Sequence, residues 1–206
     1  MTPAKRLMDV GLALILSLAL APAILIIAGL ILLRDGRPVF YLSERMKTPD
    51  RGFLLWKFRT MSVVAQDSGV SGGDPAARIT PLGARLRRTR LDEVPQLLNI
   101  LRGDMSFVGP RPPLRRYVEM RPDLYAQVLR NRPGVTGLAT LVYHRTEERL
   151  LAPCRDAAET EAVYLRRCVP AKGRLDLIWA RNRDLCFDAR LIWLTLSRLF
   201  RRSKAR

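Results

Sequence analysis

The chain has 206 residues, which is enough for one compact domain with a hydrophobic core but short for two. Its 36 Lys and Arg residues outnumber its 19 Asp and Glu residues, so the formal net charge is +17. This excess predicts a polyanionic partner: nucleic acid, an anionic membrane surface or a phosphorylated substrate. Three widely spaced cysteines and a single histidine, His144, exclude a zinc site built from Cys and His.

The first element of the chain is an apolar segment that carries no charge from Val10 to Leu33. As a straight helix it would reach about 36 Å, enough to cross the roughly 30 Å hydrocarbon core of a bilayer. It lacks the polar stripe of a helix that packs on a globular core. It is also too long for a typical removable signal peptide. The segment therefore predicts embedding in a membrane.

The path of this segment through the membrane depends on Pro22, which lies at its middle. Proline removes one helical hydrogen bond and favours a kink. Basic residues flank both ends, Lys5 and Arg6 on one side and Arg34 and Arg37 on the other. Positive charge resists translocation, so a helix that breaks at Pro22 and returns to the same membrane face satisfies both flanks. The alternative is a spanning signal anchor that tolerates the proline, and we favour the re-entrant path.

The segments that follow predict a mixed but mainly helical domain. Residues 38–61 have the pattern of a β-hairpin, and residues 65–77 have the composition of a loop. Thr80 followed by Pro81 is a good helix start. Further helices are predicted at residues 95–101, 113–130 and 185–200. The last is basic and amphipathic, which suits a membrane interface, although a core helix with a solvated basic end has the same pattern.

Two adjacent acids, Asp92 and Glu93, follow a run that contains four arginines. Acids in such a position often do no more than cap a helix and complement its dipole. Here we expect the helix terminus and the nearby Arg85, Arg88 and Arg90 to lower a carboxylate pKa and to attract phosphate. A carboxylate beside an anion site is what phosphoryl transfer through a covalent intermediate requires.

A second group of candidate residues carries positive charge. Arg111 lies between two prolines that restrict the backbone and aim its guanidinium, which is suited to bidentate binding of phosphate. The same stretch could be an ordinary rigid turn. Lys57 and Arg59 add cations after the predicted hairpin. The glycine spacing fits neither a dinucleotide fingerprint nor a Walker A loop.

Several motifs occur in a fixed order along the chain. They are Lys5-Arg6-x-x-Asp9, Lys57-Phe58-Arg59-Thr60-Met61, Arg88-x-x-Leu91-Asp92-Glu93-Val94-Pro95-Gln96-Leu97-x-Asn99, Gly103-Asp104-Met105-Ser106-x-Val108-Gly109-Pro110-Arg111-Pro112 and Arg132-Pro133-Gly134-Val135-Thr136-Gly137. In this order they closely resemble the bacterial sugar transferases known as monotopic phosphoglycosyl transferases. The resemblance covers nearly the whole chain.

The resemblance implies a division of roles. The acid matching Asp92 attacks the sugar-bearing phosphorus of a UDP-sugar and expels UMP, and the acid matching Glu93 assists, with both acids near a Mg²⁺ ion. Polyprenyl phosphate, typically undecaprenyl phosphate, then attacks the phosphosugar-enzyme intermediate. We expect Arg88, Arg111, Lys57 and Arg59 to bind the substrate phosphates.

The resemblance also implies a place and an architecture. A membrane-re-entrant helix kinked at the proline matching Pro22 would occupy residues 1–36. Residues 37–206 would form a catalytic domain of α+β, mainly α, fold with interfacial amphipathic helices. This domain would contact membrane lipids on the cytoplasmic face of the bacterial inner membrane, at the first membrane step of a surface glycan pathway.

The chain departs from the family pattern in places. Lys47 and Asp50 stand where the family usually has glycines, and Ala21 precedes Pro22 where the family often has serine. Residues 143–163 match poorly, so they give no prediction for sugar recognition. Two other functions stay open: a membrane-tethered nucleic-acid-binding protein, for which no binding module is evident, and a non-catalytic membrane scaffold. We predict no nucleic-acid partner.

Overall fold

A computed structural model of the protein describes residues 1–63 and 78–204, and within this range the fold is mainly helical with two small sheets. The predicted fold class, α+β and mainly α, is confirmed, while the predicted loop at residues 65–77 lies outside the described residues. The elements in chain order are α1 (Pro3–Arg34), β1 (Phe40–Met46), β2 (Gly52–Phe58), α2 (Pro81–Thr89), α3 (Gln96–Arg102), β3 (Ser106–Val108), α4 (Arg115–Met120), α5 (Pro122–Val128), β4 (Gly134–Thr136), α6 (Leu138–Leu151), α7 (Ala157–Val163), α8 (Val169–Asn182) and α9 (Leu185–Lys204).

The apolar segment forms α1, a helix of 32 residues that begins at a Thr2 cap and contains Pro22. Only 11% of its most apolar 18-residue window is buried inside the protein, so it is not a core helix. Within the described part of the chain it is the one helix long and apolar enough to cross a membrane. The helix does not divide into two at Pro22, and a re-entrant bend stays a prediction.

The N-terminal end of α1 is fixed to the globular part of the protein. Arg6 donates hydrogen bonds to the backbone carbonyls of Ile100, at 2.6 Å, and Leu101, at 2.9 Å, near the C-terminal end of α3. The Ile100 carbonyl also accepts a hydrogen bond of 3.0 Å from the N–H of Gly103, the residue that caps α3. The last carbonyls of a helix lack the regular helical partner, and a cation there also complements the helix dipole. Lys5 is buried in ion pairs with two aspartates. The basic flank predicted from the sequence is therefore used for packing.

The C-terminal end of α1 is fixed to the same body. Ile27 and Ile31 are buried in an apolar cluster with Phe58 of β2. Just beyond the helix, the Asp35 carboxylate accepts a hydrogen bond of 3.0 Å from the hydroxyl of Thr80. Both ends of α1 therefore rest on one globular domain, although the middle of the helix is largely exposed.

The predicted hairpin is confirmed, since β1 and β2 pair antiparallel with Phe40 opposite Phe58. The backbone N–H of Lys47 donates a hydrogen bond of 2.9 Å to the carbonyl of Arg51 and closes the turn without the glycines that the family usually has. The hairpin places Lys57 near the end of β2, beside the two adjacent acids.

A second, parallel pair of short strands was not predicted, because three residues are too few to show a strand period. In this pair Ser106 of β3 lies opposite Gly134 of β4. A Cβ atom on Gly134 would come within 2.2 Å of the backbone nitrogen of Gly109, so this close approach requires glycine. The pairing fixes the start of the segment 110–112 that carries Arg111.

Local signals placed two helix ends correctly. The Thr80 hydroxyl accepts a hydrogen bond of 2.9 Å from the N–H of Gly83 at the start of α2. Helix α3 ends at Gly103, whose φ of 80° lies in the left-handed region that favours glycine.

The prediction of a single helix at residues 113–130 is wrong. The structure has two helices there, α4 and α5, separated at Arg121. Pro122 disfavours helical geometry at the residue before it, and Arg121 accordingly has φ −137° and ψ 58°.

The predicted tail helix is confirmed as α9. One side of α9 is core, where Leu191 is 2% exposed, and the other carries Trp193, which is 70% exposed. Both interpretations of the tail pattern therefore describe part of the helix, and its contact with a membrane stays a prediction.

Candidate active site

The two adjacent acids lie on a tight turn between α2 and α3. Arg90 adopts a left-handed conformation with φ 59°, which reverses the chain into the 3₁₀ turn Leu91–Glu93 against β2. This conformation costs a residue with a Cβ roughly 1–2 kcal/mol. Asp92 is only 7% exposed as a result. Helix α3 begins three residues after Glu93, at Gln96, without a side-chain cap, so the alternative in which the acids only cap a helix does not hold for α3.

Glu93 is held by cations from two sides. Its Oε1 atom lies 2.9 Å from Nζ of Lys57 and 3.5 Å from a guanidinium nitrogen of Arg90. Burial acts to raise the pKa of Glu93, but the charges of Lys57, Arg111 and Arg90 outweigh burial and lower it. Glu93 is therefore ionised and fixed in orientation.

The pKa of Asp92 shifts in the opposite direction from that of its neighbour Glu93. Its Oδ1 atom is buried and has no hydrogen-bond partner. Burial, followed by the charge of Glu93, raises the pKa of Asp92 against the opposing effects of Lys57, Arg90 and Arg87. The expectation that nearby arginines would lower this pKa is wrong in direction, because the arginines do not compensate for the lost hydration. A carboxylate oxygen without a donor keeps its lone pairs available for an electrophile or a cation.

Lys57 forms the other side of the site. Burial is the main cause that lowers its pKa, opposed by its ion pair with Glu93. The strand that carries it is fixed by Asn99 of α3, whose side chain accepts a hydrogen bond of 3.0 Å from Trp56 N–H and donates one of 2.8 Å to the Leu54 carbonyl. Asn99 was part of a motif in the sequence, but its role in orienting β2 required the fold.

The four predicted phosphate-binding cations do not all meet. Arg111 is exposed after β3, and its charge lowers the pKa of both Glu93 and Lys57, so it belongs to the site. Arg59 is buried and donates hydrogen bonds of 2.6 and 2.7 Å to the carbonyls of residues 35 and 36. The structure therefore places Arg59 at the end of α1 and not beside the acids.

The arginines of α2 and its end also differ from the sequence prediction. Arg88 is exposed, whereas Arg87 and Arg90 are the arginines that act on Asp92. The Nε atom of Arg87 donates a hydrogen bond of 2.8 Å to the Thr60 hydroxyl, which turns its side chain toward the end of β2. Which of several neighbouring arginines faces the acids depends on the rotation of α2 on the hairpin, which the motif does not encode.

The two carboxylates fit the donor set of a magnesium site. Mg²⁺ in phosphoryl-transfer sites takes one or two carboxylates and completes its octahedron with water and substrate phosphate oxygens. The buried, unpartnered Oδ1 of Asp92 and the adjacent Glu93 carboxylate meet this requirement. No cluster of three or more His, Cys, Asp or Glu side chains suited to a metal occurs among the described residues.

Comparisons with known proteins show the family of the chain. The family model of bacterial sugar transferases matches residues 1–202, and the chain belongs to that family. With the exposed apolar α1, membership of this family indicates association with a membrane.

Individual relatives are similar over different shares of the chain. An exopolysaccharide production protein ExoY of Sinorhizobium fredii is 40% identical over 152 residues, which is 65% of this chain and 66% of that protein. The UDP-glucose:undecaprenyl-phosphate glucose-1-phosphate transferase of Escherichia coli is 33% identical over 202 residues, or 95% of this chain and 40% of the relative. A UDP-N-acetylgalactosamine-undecaprenyl-phosphate N-acetylgalactosaminephosphotransferase of Aeromonas hydrophila is 37% identical over 145 residues, or 68% and 34%. The match thus covers less than two thirds of the length of each of these relatives.

Proposed function

We propose that this chain is a phosphoglycosyl transferase that moves a sugar 1-phosphate from a UDP-sugar to a polyprenyl phosphate such as undecaprenyl phosphate. The products are a polyprenyl diphosphate sugar and UMP. The observation that carries the proposal is the buried Asp92 carboxylate, with one oxygen free of donors, beside a Glu93 that three cations hold ionised. The names of the relatives, which specify transfer of a sugar phosphate to undecaprenyl phosphate in those proteins, support the substrate class.

The reaction proceeds in two displacements at one phosphorus atom. An oxygen of Asp92 forms a bond to the sugar-bearing phosphorus, and the bond from that phosphorus to the bridging oxygen breaks, so that UMP leaves with the electron pair. A phosphate oxygen of the lipid then attacks the same phosphorus and releases the Asp92 carboxylate. Because donor and acceptor are both anionic, a covalent relay allows each to bind in turn instead of facing the other.

The remaining side chains bind and orient. Lys57 and Arg90 hold Glu93 so that its carboxylate stays beside Asp92, and Arg111 offers a guanidinium to the phosphate oxygens. Asp92 and Glu93 would hold Mg²⁺, which when bound offsets negative charge on the phosphate oxygens. Glu93 would assist Asp92 by helping to hold this ion beside it.

The membrane arrangement that we propose is re-entrant, on the cytoplasmic face of the bacterial inner membrane. It is supported by the contacts at both ends of α1, where Arg6 binds α3 and Asp35 binds Thr80. A spanning helix would carry one of these ends to the opposite side of the bilayer, away from the domain that it contacts. Pro22, exposed at the middle of the helix, is where a bend costs least, because its hydrogen bond is already missing. The exposed Trp193 side of α9 would lie at the lipid interface.

The central test separates the covalent enzyme from its alternatives. The purified chain, incubated with a panel of UDP-sugars and Mg²⁺ but no lipid, should release UMP once per enzyme and retain a phosphosugar adduct. The adduct should be labile to hydroxylamine, as acyl phosphates are, and absent from Asp92→Asn. The matched control Asp123→Asn, at an exposed acid of α5, should form it normally.

Two outcomes would contradict the proposal. Steady turnover with lipid but no adduct would mean direct transfer between the substrates, with Asp92 acting as a metal ligand or base. No UMP release from any UDP-sugar, with or without polyprenyl phosphate, would favour a non-catalytic membrane scaffold.

A further inference from the structure

One side of the β1–β2 hairpin is apolar and is only partly covered by the protein. Residues directly opposite each other in an antiparallel pair point to the same side, and Leu42 lies opposite Trp56. Leu54, two residues before Trp56, points the same way and is 52% exposed. A sheet side that faces water normally carries polar residues. We call this surface the hairpin face, and it consists of Phe40, Leu42, Leu54, Trp56 and Phe58.

The aromatic rings of the hairpin face connect it to α1. Phe40 stacks on Phe58 with ring centroids 5.4 Å apart, and it meets Trp56 edge-on at 5.5 Å. Phe58 is buried in one apolar cluster with Ile27 and Ile31 of α1. The hairpin face is therefore continuous with the helix whose exposure and family indicate association with a membrane.

The last turns of α1 show where lipid would meet the hairpin. Ile31 is buried toward Phe58, whereas Leu32 and Leu33 in the same turn are exposed, Leu33 by 86%. Such side chains are costly in water, so a bilayer that embeds α1 would also cover this turn. Because the turn touches Phe58 through Ile31, the bilayer would then reach the adjoining ring of Phe40.

Basic residues surround the hairpin face on the side of α1. Arg34 and Arg37 are exposed between α1 and β1. The guanidinium of Arg102, exposed at the end of α3, lies 5.4 Å from the centre of the Trp56 ring. Tryptophan is enriched where a bilayer changes from apolar to polar, and arginine there attracts anionic headgroups. The arrangement is that of a surface at the level of the lipid headgroups.

The hairpin face becomes polar away from α1. Opposite Leu54 in the register stands Glu44, whose carboxylate lies 2.6 Å from a guanidinium nitrogen of Arg115, and both side chains are exposed. The sequence of partners is therefore two aromatic rings beside α1, then leucine with tryptophan, then leucine with an ion pair. This gradient from apolar to charged matches the change in polarity from the acyl chains to water.

A second copy of the chain is a less suitable occupant of the hairpin face. In a two-fold dimer the same patch faces itself, so Arg34, Arg37 and Arg102 would be brought close to their own equivalents. Like charges across an interface oppose association, whereas anionic lipids balance the same charges.

We propose that the hairpin face lies in the interfacial layer of the bilayer, with its rings and leucines among the lipids and the three arginines toward anionic headgroups. This surface is separate from α1 and α9, and its assignment does not depend on transfer of a sugar phosphate. It also places the acid site. Lys57 lies between Trp56 and Phe58, so its side chain projects from the opposite side of β2, where Nζ is 2.9 Å from Glu93. One strand then separates the lipid from a side chain of the acid site.

The test introduces a photoreactive benzoylphenylalanine in place of Leu42 or Leu54 in the full-length protein. The protein is reconstituted in vesicles of phosphatidylethanolamine and phosphatidylglycerol, illuminated and analysed by mass spectrometry. We expect lipid adducts at both positions. Tyr41 is the matched control, because it is 43% exposed against 42% for Leu42 but points to the other side of β1. The same substitution at Tyr41 should give no lipid adduct.

The fluorescence of Trp56 tests the surface without a foreign side chain. Trp193→Phe removes the exposed tryptophan of α9, which leaves Trp56 and the buried Trp179. Phosphatidylcholine with brominated acyl chains, mixed into the vesicles, should quench part of the emission of this variant. The quenched part should disappear when Trp56→Phe is added.

Several outcomes would overturn the inference. Benzoylphenylalanine at Leu18, exposed in the middle of α1, reports whether the helix is embedded. Lipid adducts at Leu18 but none at Leu42 and Leu54 would place the hairpin face in water. Covalent dimers from Leu42 or Leu54 would assign it to a second copy, and equal lipid adducts at Tyr41 and Leu42 would refute the choice of side. No lipid adduct at Leu18 would refute the membrane helix from which the surface continues. Release of UMP from a UDP-sugar, measured on the same preparations, reports on the proposed function separately.

Discussion

Two regions of the molecule place a lysine beside a pair of acids, and they differ in whether a ligand can reach the acids. At the start of α1, Nζ of Lys5 lies 2.7 Å from Asp9 and 3.2 Å from Asp188, and Trp179 donates a hydrogen bond of 2.9 Å to the second oxygen of Asp188. At the acid site, Nζ of Lys57 lies 2.9 Å from Glu93, and Oδ1 of Asp92 has no donor among the described residues.

Asp9 and Asp92 are both buried. The two regions differ in whether a ligand can reach the carboxylate and in how its charge is balanced. Asp9 also has an unpartnered oxygen, but the residue is 0% exposed, whereas Asp92 is 7% exposed. The anchoring cluster, formed by Lys5, Asp9, Asp188 and Trp179, joins α1 to α8 and α9. The acid site combines a reachable carboxylate with cations in excess of its acids. A buried acid pair is therefore a candidate for chemistry only where a ligand can arrive and where its charge can be balanced.

The largest effect expected is loss of turnover in Asp92→Asn. A carboxamide cannot form an acyl phosphate, so kcat/KM should fall by at least about a thousandfold. Thermal unfolding should stay within a few degrees of wild type, because the substitution removes a charge that burial already disfavours. Measurement of both quantities on one preparation tests the comparison, and a variant that lost stability together with activity would make Asp92 a structural acid like Asp9.

Lys5→Met should show the opposite pattern. Removal of the lysine leaves Asp9 and Asp188 buried without their cation, which typically costs about 3–5 kcal/mol in the free energy of unfolding. Urea unfolding in detergent measures this loss, and kcat of the folded fraction should be unchanged. Lys47→Met is the control, because its ion pair with Asp104 is part-exposed and should contribute less than about 1 kcal/mol. Equal losses in the two variants would contradict the special role of the anchoring cluster.

A third buried acid, Asp176, sharpens the comparison because Lys172, which lowers its pKa, is already paired with Glu147. Burial raises the pKa of Asp176 from 3.8 to about 7. Between these values the folded protein keeps a proton that the unfolded chain has lost, so the stability contribution is present at low pH and decreases as pH rises through this window. Three pKa units correspond to at most about 4 kcal/mol. In Asp176→Asn the free energy of unfolding should vary less between pH 4 and 7 than in wild type, and a slope equal to that of wild type would show that water reaches the carboxyl.

The smallest effect concerns the shape of a cation and not its charge. Arg111→Lys keeps the positive charge but loses the planar fork, and we expect kcat/KM to fall by about tenfold. Arg130→Lys provides the control at an exposed arginine. If Arg111→Lys retains activity within about twofold of wild type, a point charge is sufficient at this position.

Local patterns in the sequence were enough for the elements whose stability is local. The cap formed by Thr80, the left-handed end at Gly103 and the apolar run of α1 all depend on residues within one or two turns of each other. The hairpin follows from the same kind of pattern. The prediction of one helix at residues 113–130 was wrong for a local reason as well, because Pro122 disfavours helical geometry at Arg121.

The motifs located the acids and Arg111, but only the tertiary structure decided what each residue contacts. Lys57 meets Glu93 across 36 positions of sequence, and Arg59, two residues later, turns away to the end of α1. The raised pKa of Asp92 depends on how much water the fold excludes, which no spacing of charged residues specifies. Sequence alone therefore determined that acids, arginines and a membrane helix belong to this protein. The packing of the hairpin against α2 and α3 determined which of these residues share a site, because burial and contacts over long sequence separations exist only in the folded chain.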